Sequence, residues 1–186
     1  MLAVKRLFTA SFFSAVLLSV AIVNPAMAET TTFHNPEVSV QLNDLKRTAL
    51  AMVDEADVLK SMTLNKRLSW QSHTDRLNTL KKHVNAMGKS LADLENQKAT
   101  ATEEQVLATE QARLHLVPVA ENVTLAIELV NERRNNIHWS EYADAVSYVY
   151  AHAEALHSKL DTILDYEDAR LRFERLEVQP AFTLAD

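Results

Sequence analysis

The chain has 186 residues with one glycine, four prolines and no cysteine, and carries 19 Lys+Arg against 25 Asp+Glu. A single glycine excludes strand-and-turn architectures and glycine-dependent nucleotide loops, which need positive φ or a close backbone approach. The lack of cysteine excludes disulfides, thiolate metal sites and covalently attached c-type haem, and a net charge of −6 disfavours nucleic acid as a partner.

Lys5 and Arg6 precede an uncharged stretch from Leu7 to Val23. Asn24-Pro25 then breaks the helix, and Ala26-Met27-Ala28 has the form of a processing site. The apolar run is about 17 residues, short for a membrane span of about 20. The expectation is a signal peptide over residues 1–28, cleaved between Ala28 and Glu29. The product is then a periplasmic or secreted chain with no stable membrane insertion after processing. Cleavage removes two basic residues and leaves 17 Lys+Arg against 25 Asp+Glu, a net charge of −8. A chain of this size can bury a core of its own.

Residues 29–36 read as an N-terminal extension, 37–177 as a bundle and 178–186 as a flexible tail. Asn35-Pro36-Glu37 has the N-cap, N1 proline and first-turn acid of a helix start. Val38, Leu42, Leu45, Ala49, Met52, Ala56 and Leu59 follow at alternating steps of four and three. A second such seam runs Trp70, His73, Leu77, Leu80, Val84, Met87, Leu91, Leu94. Thr102-Glu103-Glu104-Gln105 is a capping-box pattern, and behind it come Val106, Thr109, Arg113, Leu116, Ala120, Val123, Ile127 and Val130. The fourth helix starts near Trp139 or Ser140, uses Tyr142, Val146, Val149, Ala153, Leu156, Leu160 and Ile163, and continues through Phe173 and Leu176 until Pro180 stops it. Short connections between long helices predict an all-α, up-down-up-down antiparallel four-helix bundle. The alternative is a three-helix core with a loosely docked first helix, because Ala49 and Ala56 give that seam little to bury.

Several residues interrupt these patterns and are the candidates for function. His73 is an imidazole on an apolar seam, expected to fix register by hydrogen bonding to Asp57 or to a tyrosine hydroxyl. Arg113 is a second polar seam residue, and Pro118 marks a kink, since it leaves the Leu114 carbonyl without its helical partner. Turn arithmetic places His83, His115 and His157 at one height, a weak candidate metal site, with His115 on the outer face of its helix. Glu154 and His157 make a single Glu-x-x-His, where a di-iron bundle needs two. Trp70, Trp139, Tyr142, Tyr148 and Tyr150 gather near one end, as core packing or as the lining of a small apolar pocket. No nucleophile-elbow or His-Glu-x-x-His motif occurs, so catalysis is not expected.

Ser69-Trp70-Gln71-Ser72-His73, Lys82-His83-Val84-Asn85, Gly88-Lys89, Leu164-Asp165-Tyr166 and Phe173-Glu174 resemble a pattern of small exported bacterial helical-bundle proteins of unknown function. That resemblance implies export and a helical fold and carries no activity. Envelope-stress helical chaperones are similar in size, but their Leu-Thr-x-x-Gln repeats are missing here. The functional expectation is a binding, interaction or structural role in the bacterial cell envelope. Its partner would be a protein or a small apolar ligand, with homo-oligomerisation an option and no cofactor. The alternative is a bundle that holds haem or a divalent transition metal through its histidines.

Overall fold

The computed structural model describes residues 34–134 and 140–178. The expected signal peptide and its cleavage site, Trp139, Pro180 and the tail from 179 onward lie outside the described residues. Four helices account for nearly all of them: α1 (Pro36–Thr63), α2 (Trp70–Asn96), α3 (Glu103–Glu132) and α4 (Ser140–Val178), with one 3₁₀ turn at Lys98–Thr100 between α2 and α3. All lie within a single compact unit.

Local chemistry sets the helix starts. The Asn35 side chain accepts from the backbone N–H groups of Glu37 and Val38 at 3.0 and 3.3 Å, and Pro36 takes the position whose N–H would be unsatisfied. At α3 the capping box closes in both directions: Gln105 N–H donates to Thr102 Oγ1 at 3.2 Å, and Thr102 N–H to Gln105 Oε1 at 3.1 Å.

Packing then fixes the arrangement. The helices form a ring in which α1 packs on α2 and α4, and α3 packs on α2 and α4, so that α1/α3 and α2/α4 are the diagonals. Every expected seam residue of α1 is buried, from Val38 to Leu59. The first helix is therefore a full member of the core, and the three-helix alternative falls. Its alanines are no weakness: Ala49 and Ala56 are fully buried. On α2, His73, Leu77, Leu80, Met87, Leu91 and Leu94 are buried as the seam requires. Each leucine removed from water contributes about 1.5–3 kcal/mol.

The third seam differs from its expectation. The residues that α3 buries are Gln105, Ala108, Thr109, Ala112, Leu116, Val119, Val123, Ala126, Leu129 and Val130. Arg113 is exposed, and Val106 and Ile127 are only half-buried. The inward stripe is centred about one residue earlier than hydrophobicity suggests. Ala108, Ala112 and Ala126 sit inside with Ala145 and Ala153 of α4, while the larger Leu107, Leu114 and Val117 are exposed. Leu116 and Leu129 are buried on the same stripe, so small and large side chains interdigitate along it. Helix α3 runs unbroken through Pro118.

Among the described residues, no helix is long and apolar enough to cross a membrane.

Candidate functional site

The α2–α3 side of the ring carries an open groove, somewhat larger than those of about 490 and 400 Å³ against the α1–α2 and α3–α4 seams. Helix α2 turns Gly88 and Ala92 toward α3, and α3 answers with Ala120; these side chains are too small to fill the space between the two axes. The result is a groove of about 550 Å³, floored by Val84, Leu91, Thr109 and Leu116 and bordered by Asn85, Glu95, Arg113 and the exposed Val117. That volume falls within the range of small-molecule sites, which are mostly apolar with a few placed polar groups. A β-carbon added at Gly88 would meet nothing within 4 Å, so the groove is unfilled at this glycine.

Arg113 is the one cation on this border, and it makes no ion pair among the described residues. Its acidic neighbours are engaged elsewhere: Lys98 Nζ lies 3.0 Å from Glu110 Oε1 and 4.0 Å from Glu95 Oε1. The groove thus combines an apolar floor with an uncommitted guanidinium. Such a group binds a carboxylate or phosphate in a planar, two-pronged manner.

A second polar arrangement closes the end of the bundle where α1 and α3 begin and α4 passes. Glu167 of α4 is buried and accepts from Thr102 Oγ1 at 3.1 Å and from His34 Nδ1 at 3.2 Å. With Nδ1 donating, His34 Nε2 accepts from Ser39 Oγ at 3.4 Å. Gln105 Nε2 donates to Ser39 Oγ at 2.8 Å and to the Asn35 carbonyl at 3.0 Å. Serine, imidazole and carboxylate stand here in the order used by nucleophilic hydrolases. However, Gln105 holds the serine oxygen and Thr102 shares the carboxylate, so each donor and acceptor is turned onto another member of the set. The arrangement is a clasp that joins α1, α3 and α4.

The residues singled out from the sequence are distributed as follows. His73 is fully buried, with Nδ1 2.9 Å from the Tyr142 hydroxyl and the two rings edge-on at 5.5 Å between centroids. Asp57, the other partner weighed for it, is exposed. Burial pushes the Tyr142 phenol well above its ordinary pKa. His115 is not on an outer face: it is half-buried against α4, its ring 6.4 Å from that of His152. Burial, followed by the charges of His152 and Lys159, lowers its pKa. His83 and His157 are half-buried and Glu154 is exposed. No three His, Cys, Asp or Glu side chains converge on a metal-sized position among the described residues, so His83, His115 and His157 are not brought together. The aromatic residues also disperse. Tyr142 points into the core and Tyr148 is exposed, Tyr150 lies under Lys60 Nζ at 4.6 Å, and Arg134 stacks over Trp70 at 4.5 Å.

Two features escaped the sequence reading although each left a signal. Gly88 is the only glycine in the chain and interrupts a helix where glycine is unfavourable. Glu167 follows Leu160 and Leu164 at core spacing, so its carboxylate had to be inside.

No protein-family model matches this chain, and no curated protein or solved structure is recognisably similar to it.

Proposed function

We propose that this protein is a non-catalytic binding protein of the bacterial cell envelope that holds an amphipathic anion, an apolar chain ending in a carboxylate, in the α2–α3 groove. The observation that carries this reading is the uncommitted Arg113 guanidinium beside the apolar groove formed by Val84, Leu91, Leu116 and Val117. The apolar floor supplies affinity by removing hydrocarbon from water, and the guanidinium orients the head group. Envelope location rests on the n-region, apolar run and Ala26-Met27-Ala28 pattern of the first 28 residues.

Calorimetric titration with dodecanoate tests the reading. Saturable binding of about one molecule per chain is expected, weakened about tenfold by Arg113→Ala, the equivalent of roughly 1.4 kcal/mol for one charge-assisted contact. Gly88→Leu places a side chain in the groove without a clash at its β-carbon. It should abolish binding while the melting temperature holds or rises, since leucine favours helix over glycine by roughly 0.5–1 kcal/mol. Dodecylammonium should bind much more weakly than dodecanoate. Absence of binding, or binding unaffected by Gly88→Leu, rejects the proposal.

A further inference from the structure

We infer that the outer face of the C-terminal part of α4 is a self-association surface, on which a second copy of this chain lays its own α4 in parallel. Tyr166, Ala169, Phe173 and Leu176 recur at steps of three, four and three, the spacing of a coiled-coil seam. Three of them are large and turned to solvent: Tyr166 and Phe173 are each 62% exposed, and Leu176 is 68% exposed. The buried residues of the same stretch, Leu160, Leu164 and Glu167, form the stripe that faces the bundle. At 3.6 residues per turn the two stripes lie about half a turn apart on α4. Two copies can therefore meet back to back along α4 with both bundles on the outside.

Helix α4 is also longer than the bundle can support. Every residue from Arg172 to Glu177 is exposed, so these last turns have no packing partner among the described residues. Short helices without a packed face are marginal in water, and a second α4 supplies that face. Toward the N-terminus the same spacing passes Thr162 and reaches the exposed Lys159, so the apolar surface is confined to the last turns of α4.

Charge identifies the occupant. Asp165 and Arg172 flank the seam on one side, Arg170 and Glu177 on the other. In a parallel pair each flanking residue faces the one five positions further along the second helix. Asp165 then faces Arg170 of the second copy, and Arg172 faces Glu177 of the second copy; both pairs are opposite in sign. Full antiparallel overlap would instead bring Arg170 against Arg170 and Arg172 against Arg172. Within one chain Asp165 already lies 3.9 Å from Lys46 Nζ, and Arg170 bonds Glu104 and Glu174 at 3.1 and 2.8 Å. Arg172 and Glu177 are the uncommitted pair. Exposed ion pairs add little affinity but select register and direction, while Phe173 and Leu176 supply the buried area.

Sedimentation equilibrium of the purified protein should show a reversible monomer–dimer equilibrium. Phe173→Asp should leave only monomer, and because the side chain is exposed in the single chain, the bundle should still fold and melt cooperatively. Arg172→Glu should weaken the dimer and Glu177→Arg in the same chain should restore it. The chain has no cysteine, so Phe173→Cys introduces a single thiol that meets its counterpart across a parallel seam. Mild oxidation should give a disulfide-linked dimer, and Val40→Cys, exposed on α1, should not. Monomer at all concentrations, a dimer untouched by Phe173→Asp, or no cross-link in Phe173→Cys overturns the inference.

Discussion

The imidazole of His73 and the hydroxyl of Tyr142 meet at 2.9 Å across the α2–α4 diagonal, both side chains within the core. The contact bridges the two helices that do not pack side by side, so it ties the ring across its centre. It also answers why an apolar seam accepts a histidine: a buried imidazole needs a hydrogen-bond partner, and the first turn of α4 provides one. Each single variant, His73→Leu or Tyr142→Phe, should cost about 1–3 kcal/mol because it strands a buried polar group. The double variant should recover part of the loss, as chemical denaturation would show. Chelator should leave the melting temperature of the parent unchanged.

The same pair sets an alkaline limit. Burial holds the Tyr142 proton above the ordinary phenol pKa, so as pH rises through about 10 the unfolded chain releases it first. The folded state then binds more protons, and stability falls with rising pH. The contribution is fully present below that pH and is lost above it. Melting curves between neutral pH and pH 11 should show a steeper alkaline decline in the parent than in Tyr142→Phe.

The clasp at the opposite end makes a different prediction. Glu167→Ala removes an acceptor shared by Thr102 and His34 and leaves the buried Thr102 hydroxyl without it. A loss of about 1–3 kcal/mol is expected. Glu167→Gln keeps an acceptor oxygen and should lose less. Equal losses in the two variants, measured by urea denaturation, would mean that packing rather than hydrogen bonding holds this end.

The α3–α4 contact predicts that size matters more than hydrophobicity. Ala112→Leu adds apolar atoms to a fully buried position and should still destabilise by about 1–3 kcal/mol through overpacking. Leu80→Ala, on the α2 seam, should cost about 2–5 kcal/mol by opening a cavity. Lys81→Ala beside it is exposed and should be within about 0.5 kcal/mol of the parent. If thermal melts showed Ala112→Leu to be stabilising, the packing account of α3 would be wrong.

Processing can be checked directly. Expression in a bacterial host that exports the chain should give a protein whose N-terminal sequencing begins at Glu29. A chain that begins at Met1 in the exported fraction contradicts the signal-peptide reading.

Period and caps were legible from the sequence alone. The steps of three and four from Val38 to Leu59 and from His73 to Leu94 are local properties, since helix geometry sets which residues share a face. The caps at Asn35 and Thr102 are equally local, being bonds between a side chain and the next turn. Composition determined the rest of the frame: one glycine and no cysteine leave helices as the means of burying apolar surface. What the tertiary structure decided was everything that depends on distance between helices. Arg113 and Ala112 are neighbours on one turn, and a seam continued from Val106 and Thr109 takes Arg113 inward. Packing instead buries Ala112 and leaves the guanidinium in solvent. Tyr142 became the partner of His73 and Asp57 did not, because the diagonal brings a phenol on α4 to the imidazole while α1 turns its aspartate to water. The groove at Gly88 is likewise a property of two helices, since a missing side chain becomes a cavity only where a neighbouring helix stands opposite it and does not fill it.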